Sequence, residues 1–205
     1  MQLNDITHLS VRVAGPYVTH EDAAELRQDL DEFPNVRVSE AWEPAAVPDA
    51  VVQAFVGFFA LRLVEFLITK GFESIWTKLG ESWKRYRESR KRRGLREPIF
   101  NRLVLQAADC EVVLVAPLDP GSSELVSVME LLRLRLTDGL LAQESIERIT
   151  LPCQVGSDGE WETVNLYEEP EVVDYYMWHV MSREVNGHYG YYDARADDWI
   201  DQVGH

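Results

Sequence analysis

The first forty residues combine the period of a strand with the period of a helix. Residues 9–13 alternate apolar and polar side chains, which is typical of a half-buried strand. Thr19 and Asp22 form an approximate capping box for a helix that follows. Residues 36–38 alternate again. The pattern predicts a strand–helix–strand unit with one solvated sheet face, the beginning of a ferredoxin-like α+β fold.

The stretch from Ala50 to Arg93 changes character along its length. Residues 51–68 are apolar almost all round, and residues 72–86 carry large apolar side chains at helical spacing. A basic run, 84–96, follows. We interpret the stretch as one long helix, 50–93, central to the core. Unbroken, it would be roughly 65 Å long, more than a compact domain of this size spans, so a break near Gly71 is favoured.

The remaining sequence predicts a strand pair, one helix, a hairpin and a tail. Their positions are residues 103–105 and 111–115 for the strands, 119–140 for the helix, 149–167 for the hairpin around Gly156–Gly159, and 168–205 for the tail. We therefore expect an α+β fold with a mostly antiparallel sheet. It would form a core domain, 1–146, with a hairpin and an acidic, aromatic extension, 147–205, packed on it.

Charge is distributed unevenly along this chain of net charge −15. Residues 1–83 carry six basic and thirteen acidic side chains, residues 84–102 nine and two, and residues 103–205 five and twenty. Such a chain repels nucleic acid as a whole and attracts basic proteins. The basic block could bind phosphates, or it could pair with the chain's own acidic residues.

The basic run is the first candidate site. Its candidate contacts to a phosphate or a lipid headgroup are Lys84, Arg85, Arg87, Arg90, Lys91, Arg92 and Arg93. The alternative is a solvated or internally neutralised helix end. Trp83 and Tyr86 are interleaved with the basic residues, as on nucleic-acid surfaces, but they continue the core stripe, and the acidic flanks argue against nucleic acid.

The acidic, aromatic tail is the second candidate site. Rigid aromatic anchors among carboxylates have the composition of a surface that binds a basic protein. The candidate partner-binding residues are Tyr189, Tyr191, Tyr192, Asp193, Asp197, Asp198 and Trp199. The alternative is that these rings fold back on the protein's own hairpin.

Catalytic and metal-binding motifs do not emerge from the sequence. Cys110 and Cys153 lack metal-ligand spacing and read as buried thiols in a reducing cytoplasm. His188, Asp193 and His205 could approach a metal, but their spacing matches no metal motif. No glycine-rich phosphate loop or GxSxG turn is present. We expect a cytoplasmic, non-enzymatic protein without a cofactor or metal.

The order of elements in residues 8–142 resembles the effector-associated constant component family of bacterial conflict systems. The resemblance is carried by the hydrophobic patterns of LSVRVAG, AAELRQDLDEF, VVQAFVGFFALRLVEFLITKGF and RLVLQAADCEVVLVAP. It implies a non-enzymatic adaptor associated with toxic or signalling effectors. The hairpin and tail extend beyond that pattern, and no site residue is carried over.

Together these observations predict a protein-binding component, of adaptor or immunity type, in a bacterial defence or toxin system. It would bind a basic protein through the tail and could form a homo-oligomer through helix 50–83. The alternative is a membrane-associated protein that acts through helix 50–83 and the polybasic run 84–96.

Overall fold

The computed structural model describes most of the chain. The residues described are 8–15, 18–31, 33, 35–41, 51–58, 62–68, 71–164, 173–183 and 189–202. The connection 42–50 and the histidines His188 and His205, which the sequence analysis considered, lie outside these ranges.

Twelve strands and four α-helices form in the described ranges. The strands are β1 His8–Ala14, β2 Val36–Ala41, β3 Val51–Phe58, β4 Ile99–Ala107, β5 Glu111–Leu118, β6 Ile146–Leu151, β7 Cys153–Val155, β8 Trp161–Thr163, β9 Val173–Asp174, β10 Met177–Ser182, β11 Tyr189–Asp193 and β12 Asp198–Gln202. The helices are α1 His20–Asp29, α2 Leu63–Ile68, α3 Gly71–Arg92 and α4 Ser123–Asp138, and a 3₁₀ turn, Leu140–Gln143, follows α4.

Nine strands form one sheet in the order β12-β11-β10-β6-β5-β4-β3-β1-β2. The sheet is mixed: β1 with β2, β3 with β4 and β5 with β6 are parallel, and the five other neighbouring pairs are antiparallel. A smaller sheet, β8-β7-β9, contains the turn of the predicted hairpin 149–167, with Val155 opposite Trp161. Ile149 and Leu151, predicted in its first arm, belong instead to β6 of the large sheet. The large sheet takes strands from both 1–146 and 147–205, and an α+β fold is confirmed.

The core lies on one face of the large sheet. Strand side chains that point to one face of the sheet, such as Leu9, Leu105 and Ile149, join the buried faces of the helices in a single cluster. Val104 and Val113 point to the opposite face and, although buried, lie outside that cluster. The helices of the described residues therefore cover one face of the sheet.

The first helix begins as the sequence predicts. The Thr19 side chain accepts a hydrogen bond from the Asp22 amide. In return, the Asp22 carboxylate accepts hydrogen bonds from the Thr19 amide and hydroxyl, at 2.8 and 2.9 Å. This capping box satisfies donors that a helix start would otherwise leave without partners. It also fixes the position of the Asp22 side chain, which has a further use described below.

The predicted single helix 50–93 is wrong. Residues 51–58 are strand β3, between β1 and β4 in the sheet, and helices α2 and α3 follow. A short, continuous apolar run does not distinguish a buried strand from a buried helix, and the β-branched and aromatic side chains here favour the strand. A break near Gly71 is correct, because α2 ends at Ile68 and α3 begins at Gly71.

The same correction removes the structural basis of two further predictions. The large apolar side chains of α3, among them Ile75, Trp76 and Trp83, are buried in the protein's own core. A homo-oligomer or a membrane contact through a helix 50–83 has no such helix to use. In the described part of the chain, no helix is both long enough and apolar enough to cross a bilayer.

A ferredoxin-like beginning is not confirmed. In the split βαβ unit of that fold another strand lies between the two strands that a helix connects. Here β2 pairs directly with β1, in parallel, with Leu9 opposite Val36. Strand β3 joins the other side of β1, with Leu9 opposite Val56, so the first three strands are ordered β3-β1-β2.

Helix α3 passes very close to the turn that precedes α4. A Cβ atom on Gly80 would lie 2.7 Å from the Pro120 carbonyl oxygen and 2.8 Å from the Gly121 Cα. Both are backbone atoms and cannot move aside independently. The same approach lets the Trp76 indole donate to the Ser122 carbonyl at 3.0 Å.

We predict that Gly80→Ala destabilises the protein, although alanine is favoured over glycine inside a helix by about 1 kcal/mol. The added methyl group would push α3 away from the turn before α4 and disturb the Trp76 hydrogen bond. Urea unfolding monitored by tryptophan fluorescence would measure the change. The control is Ser74→Ala on the exposed side of α3, which should be neutral or slightly stabilising. A Gly80→Ala variant as stable as this control would contradict the close packing.

Candidate functional site

The basic run of α3 is divided between two sides of the helix. On the side that faces α1, the Arg85 Nε donates to the Asp29 carboxylate at 2.8 Å. Arg90 and Arg93 both donate to the Asp22 carboxylate, at 3.0 and 2.7 Å. Three of the seven candidate phosphate contacts therefore bind carboxylates of α1, so this side of α3 is an internal interface.

Asp22 is the centre of a buried ion-pair network. The side chains of Asp22 and Arg90 are both 0% exposed, and Tyr86 donates its hydroxyl to the same carboxylate at 3.2 Å. Burial by itself would raise the pKa of Asp22. The hydrogen bonds from Thr19 and Arg93 and the charge of Arg90 more than offset burial, so this pKa lies below its ordinary value. Burial and the Asp22 charge raise the pKa of Tyr86.

The other side of the basic run lines an open cleft of 490 Å³. Lys84, Arg87 and Lys91 contribute positive charge there, and Glu88 and Glu97 contribute negative charge. Arg87 also pairs with Glu97 and, at 3.8 Å, with Asp119. Arg92 is exposed at the end of α3. The seven residues thus form no common phosphate site, and the arrangement favours a largely neutralised helix end.

The aromatic residues of the tail are divided between the two faces of the sheet. Tyr192 is fully buried, and Trp199 packs against the core with its ring 5.5 Å from that of Tyr192. Tyr189 and Tyr191 lie on the opposite face, with ring centroids 4.8 and 5.3 Å from His179. Two of the predicted anchors are therefore part of the core, and the other two remain at the surface.

Asp197 attaches the β11–β12 turn to the helical layer. Its carboxylate accepts the Tyr192 hydroxyl and the Leu140 amide, the latter at 3.1 Å, and lies 3.3 Å from Arg135. Burial by itself would raise the pKa of Asp197. These donors and the Arg135 charge outweigh burial, and this pKa is lowered. A side chain on Gly139 would occupy the place of the carboxylate, since its Cβ would lie 2.8 Å from Oδ1. Asp197 is thus a structural residue.

The outward-facing part of the hairpin is smaller than the sequence predicts. The Asp193 carboxylate accepts the Arg195 and Ala196 amides in the turn, and Asp198 is exposed. Ile200, which the sequence analysis did not single out, is 49% exposed. We define the hairpin surface as Tyr189, Tyr191, Asp193, Asp198 and Ile200.

The open face of the sheet carries a groove that the sequence analysis missed. Its volume is 390 Å³, and arginines from three strands lie around an apolar floor. We define the open-face groove by its outward-facing lining residues, Ser10, Arg12, Ser39, Gln53, Phe55, Arg102, Val104, Glu111 and Arg148. Arg148 donates to Glu111 at 2.7 Å. A partial signal was present in the sequence, because β1, β4 and β6 each contain an arginine, Arg12, Arg102 and Arg148, among apolar residues.

The two thiols and His179 are buried side chains whose pKa values are shifted by their surroundings. Cys110 and Cys153 are free and buried, as predicted, and burial raises the pKa of each thiol to about 12. Burial, together with the charge of Arg148, lowers the pKa of His179. Among the residues that the structure describes, no three histidine, cysteine or carboxylate side chains are grouped to hold a metal ion.

Comparison with known proteins gives no relative. No family model matches the chain, no curated protein matches it, and no solved structure matches it. The arrangement of the described residues therefore has to support any functional proposal.

We predict that Asp22→Ala lowers the free energy of unfolding by about 3–5 kcal/mol, because it leaves the Arg90 guanidinium buried without its carboxylate. Urea unfolding followed by circular dichroism would measure this loss. The control is Glu21→Ala: Glu21 is exposed and lies 3.3 Å from Arg93, so about 1 kcal/mol or less should be lost. Equal losses in the two variants would contradict the central role of Asp22.

The lowered pKa of Asp22 also predicts an acid-sensitive contribution to stability. The unfolded carboxyl titrates near 3.8, and the folded carboxyl titrates below that value. The contribution is therefore fully present well above pH 3.8 and is lost as the pH falls through the lower, folded pKa. Between pH 6 and about pH 3, the wild-type protein should lose more unfolding free energy than Asp22→Asn. Parallel pH profiles for the two proteins would exclude this contribution.

Proposed function

We propose that this chain is a non-catalytic protein-binding component that binds a basic partner through the hairpin surface. The proposal includes the setting implied by the resemblance of residues 8–142, an adaptor or immunity-type component of a bacterial defence or toxin system. The resemblance treats residues 51–58 as part of a helix, whereas they form strand β3, so the hairpin surface is the main support for the proposal.

The observation that supports the proposal is the exposure of apolar side chains on a firmly attached hairpin. Tyr189 is 42% exposed and Ile200 is 49% exposed. The turn between their strands is fixed by Asp197 and by Arg135, which donates to the Ala194 and Arg195 carbonyls at 2.7 and 3.1 Å. An anchor residue on a rigid support loses little conformational entropy when it binds, and interface hot spots are often of this kind.

Charge around the hairpin favours a basic partner. Residues 189–202 contain four aspartates and one arginine, and the whole chain has a net charge of −15. The arginine, Arg195, lies over the Tyr176 ring and pairs with Asp174 at 2.7 Å. Asp198 is exposed beside the apolar anchors. An acidic field of this kind accelerates encounter with a basic protein and disfavours acidic competitors.

The position of the hairpin in the sheet is also suitable for binding. Strand β12 is the last of the nine strands in the described part of the chain. The outer backbone groups of an edge strand can pair with an extended segment of another protein. A partner could thus combine backbone pairing along β12 with side-chain contacts to the hairpin surface.

We predict that Ile200→Ala combined with Asp198→Lys weakens partner binding at least about tenfold, because it removes an apolar anchor and reverses a charge. The tagged protein would capture partners from its native host without detergent, and elution in steps of rising salt would release those held by exposed charge pairs. A stoichiometric basic protein that the wild type captures and the variant loses is the expected result.

The matched control variant is Leu134→Ala combined with Asp138→Lys, which makes the same chemical changes on α4. Leu134 is 40% exposed, and Asp138 is exposed at the end of the helix. This control should retain the partner. The proposal fails if both double variants retain or both lose the captured protein, or if the captured protein is acidic.

A further inference from the structure

The uncovered sheet face presents its side chains in rows that run across the strands. Register places Arg12 opposite Gln53 and Gln53 opposite Arg102, which forms one row. The next row, one pleat further along the strands, begins with Ser10 and Phe55. Arg12 and Arg102 are two strands apart, about 10 Å at the usual strand spacing, and both line the open-face groove.

The groove is locally positive in an otherwise acidic protein. Among the described residues, its charged lining consists of Arg12, Arg102, Arg148 and Glu111. Glu111 is engaged by Arg148 at 2.7 Å, and Arg102 makes no ion pair with any residue in the described ranges. Guanidinium groups bind phosphate oxygens through two parallel hydrogen bonds. This end of the sheet is therefore suited to an anionic ligand that contains phosphate.

A stacked ring pair lies beside these arginines. The His8 and Phe55 rings have centroids 5.3 Å apart and planes within 23° of each other, and Phe55 lines the groove. The His8 ring lies directly over Gly57, where a Cβ atom would be 2.3 Å from the imidazole. Glycine thus lets the imidazole lie against the sheet, and the half-buried Phe55 offers a ring against which a flat heterocycle can stack.

We propose that the open-face groove binds a free nucleotide, with its phosphates between Arg12 and Arg102 and its base against Phe55. The volume of 390 Å³ is within the range of small-molecule sites and suits a ligand of this size. The protein's net charge of −15 would repel a long polyanion that extended beyond the groove. Ser10, Ser39 and Gln53 supply polar groups that can hydrogen-bond the sugar and the base.

The test is isothermal titration calorimetry of the full chain with ATP and with GTP, in the presence of EDTA. Adenosine and inorganic triphosphate, the two fragments of ATP, are titrated separately. We expect both nucleotides to bind more tightly than either part. Arg102→Ala should weaken nucleotide binding about tenfold or more, because a charge-assisted contact is lost. Phe55→Leu should weaken binding of the nucleotide roughly tenfold while leaving the affinity for triphosphate unchanged.

The control is Arg133→Ala, which removes an arginine of α4 that pairs with Glu130 at 2.7 Å, away from the groove. It should bind nucleotide as the wild type does. Thermal unfolding of each variant shows whether it is folded, and Arg102 is exposed, so its removal should leave the fold intact.

Several results would overturn the proposal. One is that no binding is detected with nucleotide at about 1 mM, because a dissociation constant above that value is too weak for a specific site. Equal affinity of the wild type and Arg102→Ala would place any site elsewhere. Triphosphate that binds as tightly as ATP would indicate a bare anion site, and a single-stranded oligonucleotide that binds far more tightly than ATP would indicate a nucleic-acid site.

Discussion

The fold depends on the burial of one face of a nine-stranded sheet beneath the helices of the described residues. The strand side chains of one sheet face join the main core, and the buried faces of α1, α2, α3 and α4 complete that core. This arrangement concentrates the hydrophobic stabilisation in one layer. The opposite face carries both the open-face groove and the tyrosines of the hairpin surface.

The buried carboxylate of Asp22 illustrates how the protein accommodates its basic helix end. A guanidinium that is fully buried, as Arg90 is, costs several kcal/mol unless a carboxylate and hydrogen bonds compensate it. The capping box of α1 orients Asp22, whose carboxylate accepts hydrogen bonds from Arg90, Arg93 and Tyr86. A local helix-capping signal thus becomes the contact that orders α1 against the last turns of α3. Much of the basic run is consequently a structural feature.

The two proposed ligands would occupy different ends of the same sheet. The groove is lined by residues of β1 to β6, and the hairpin surface is formed by β11 and β12 at the far edge. Positive charge at one end and negative charge at the other favour a small anion and a basic protein, respectively. Strand β10 lies between the groove and the hairpin surface, so both ligands could bind at once, and the shared sheet gives them a rigid physical connection.

Features that depend only on neighbouring residues could be predicted from the sequence. Alternation over residues 9–13, the capping box of Thr19 and Asp22, the core stripe of α3 and the turn at Gly156–Gly159 each have a local physical cause, and each is present in the structure. Features that depend on residues distant in the chain became visible only in the folded structure. Whether residues 51–58 were strand or helix depended on the edge of β1 with which they pair. The structural roles of Arg90, Tyr192 and Asp197 depend on hydrogen-bond partners that are 68, 5 and 57 residues away in the chain. Only the separation of 5 residues is short enough for a local sequence pattern to indicate it. The groove forms because strands that are distant in sequence place their arginines on the face opposite the helices of the described residues.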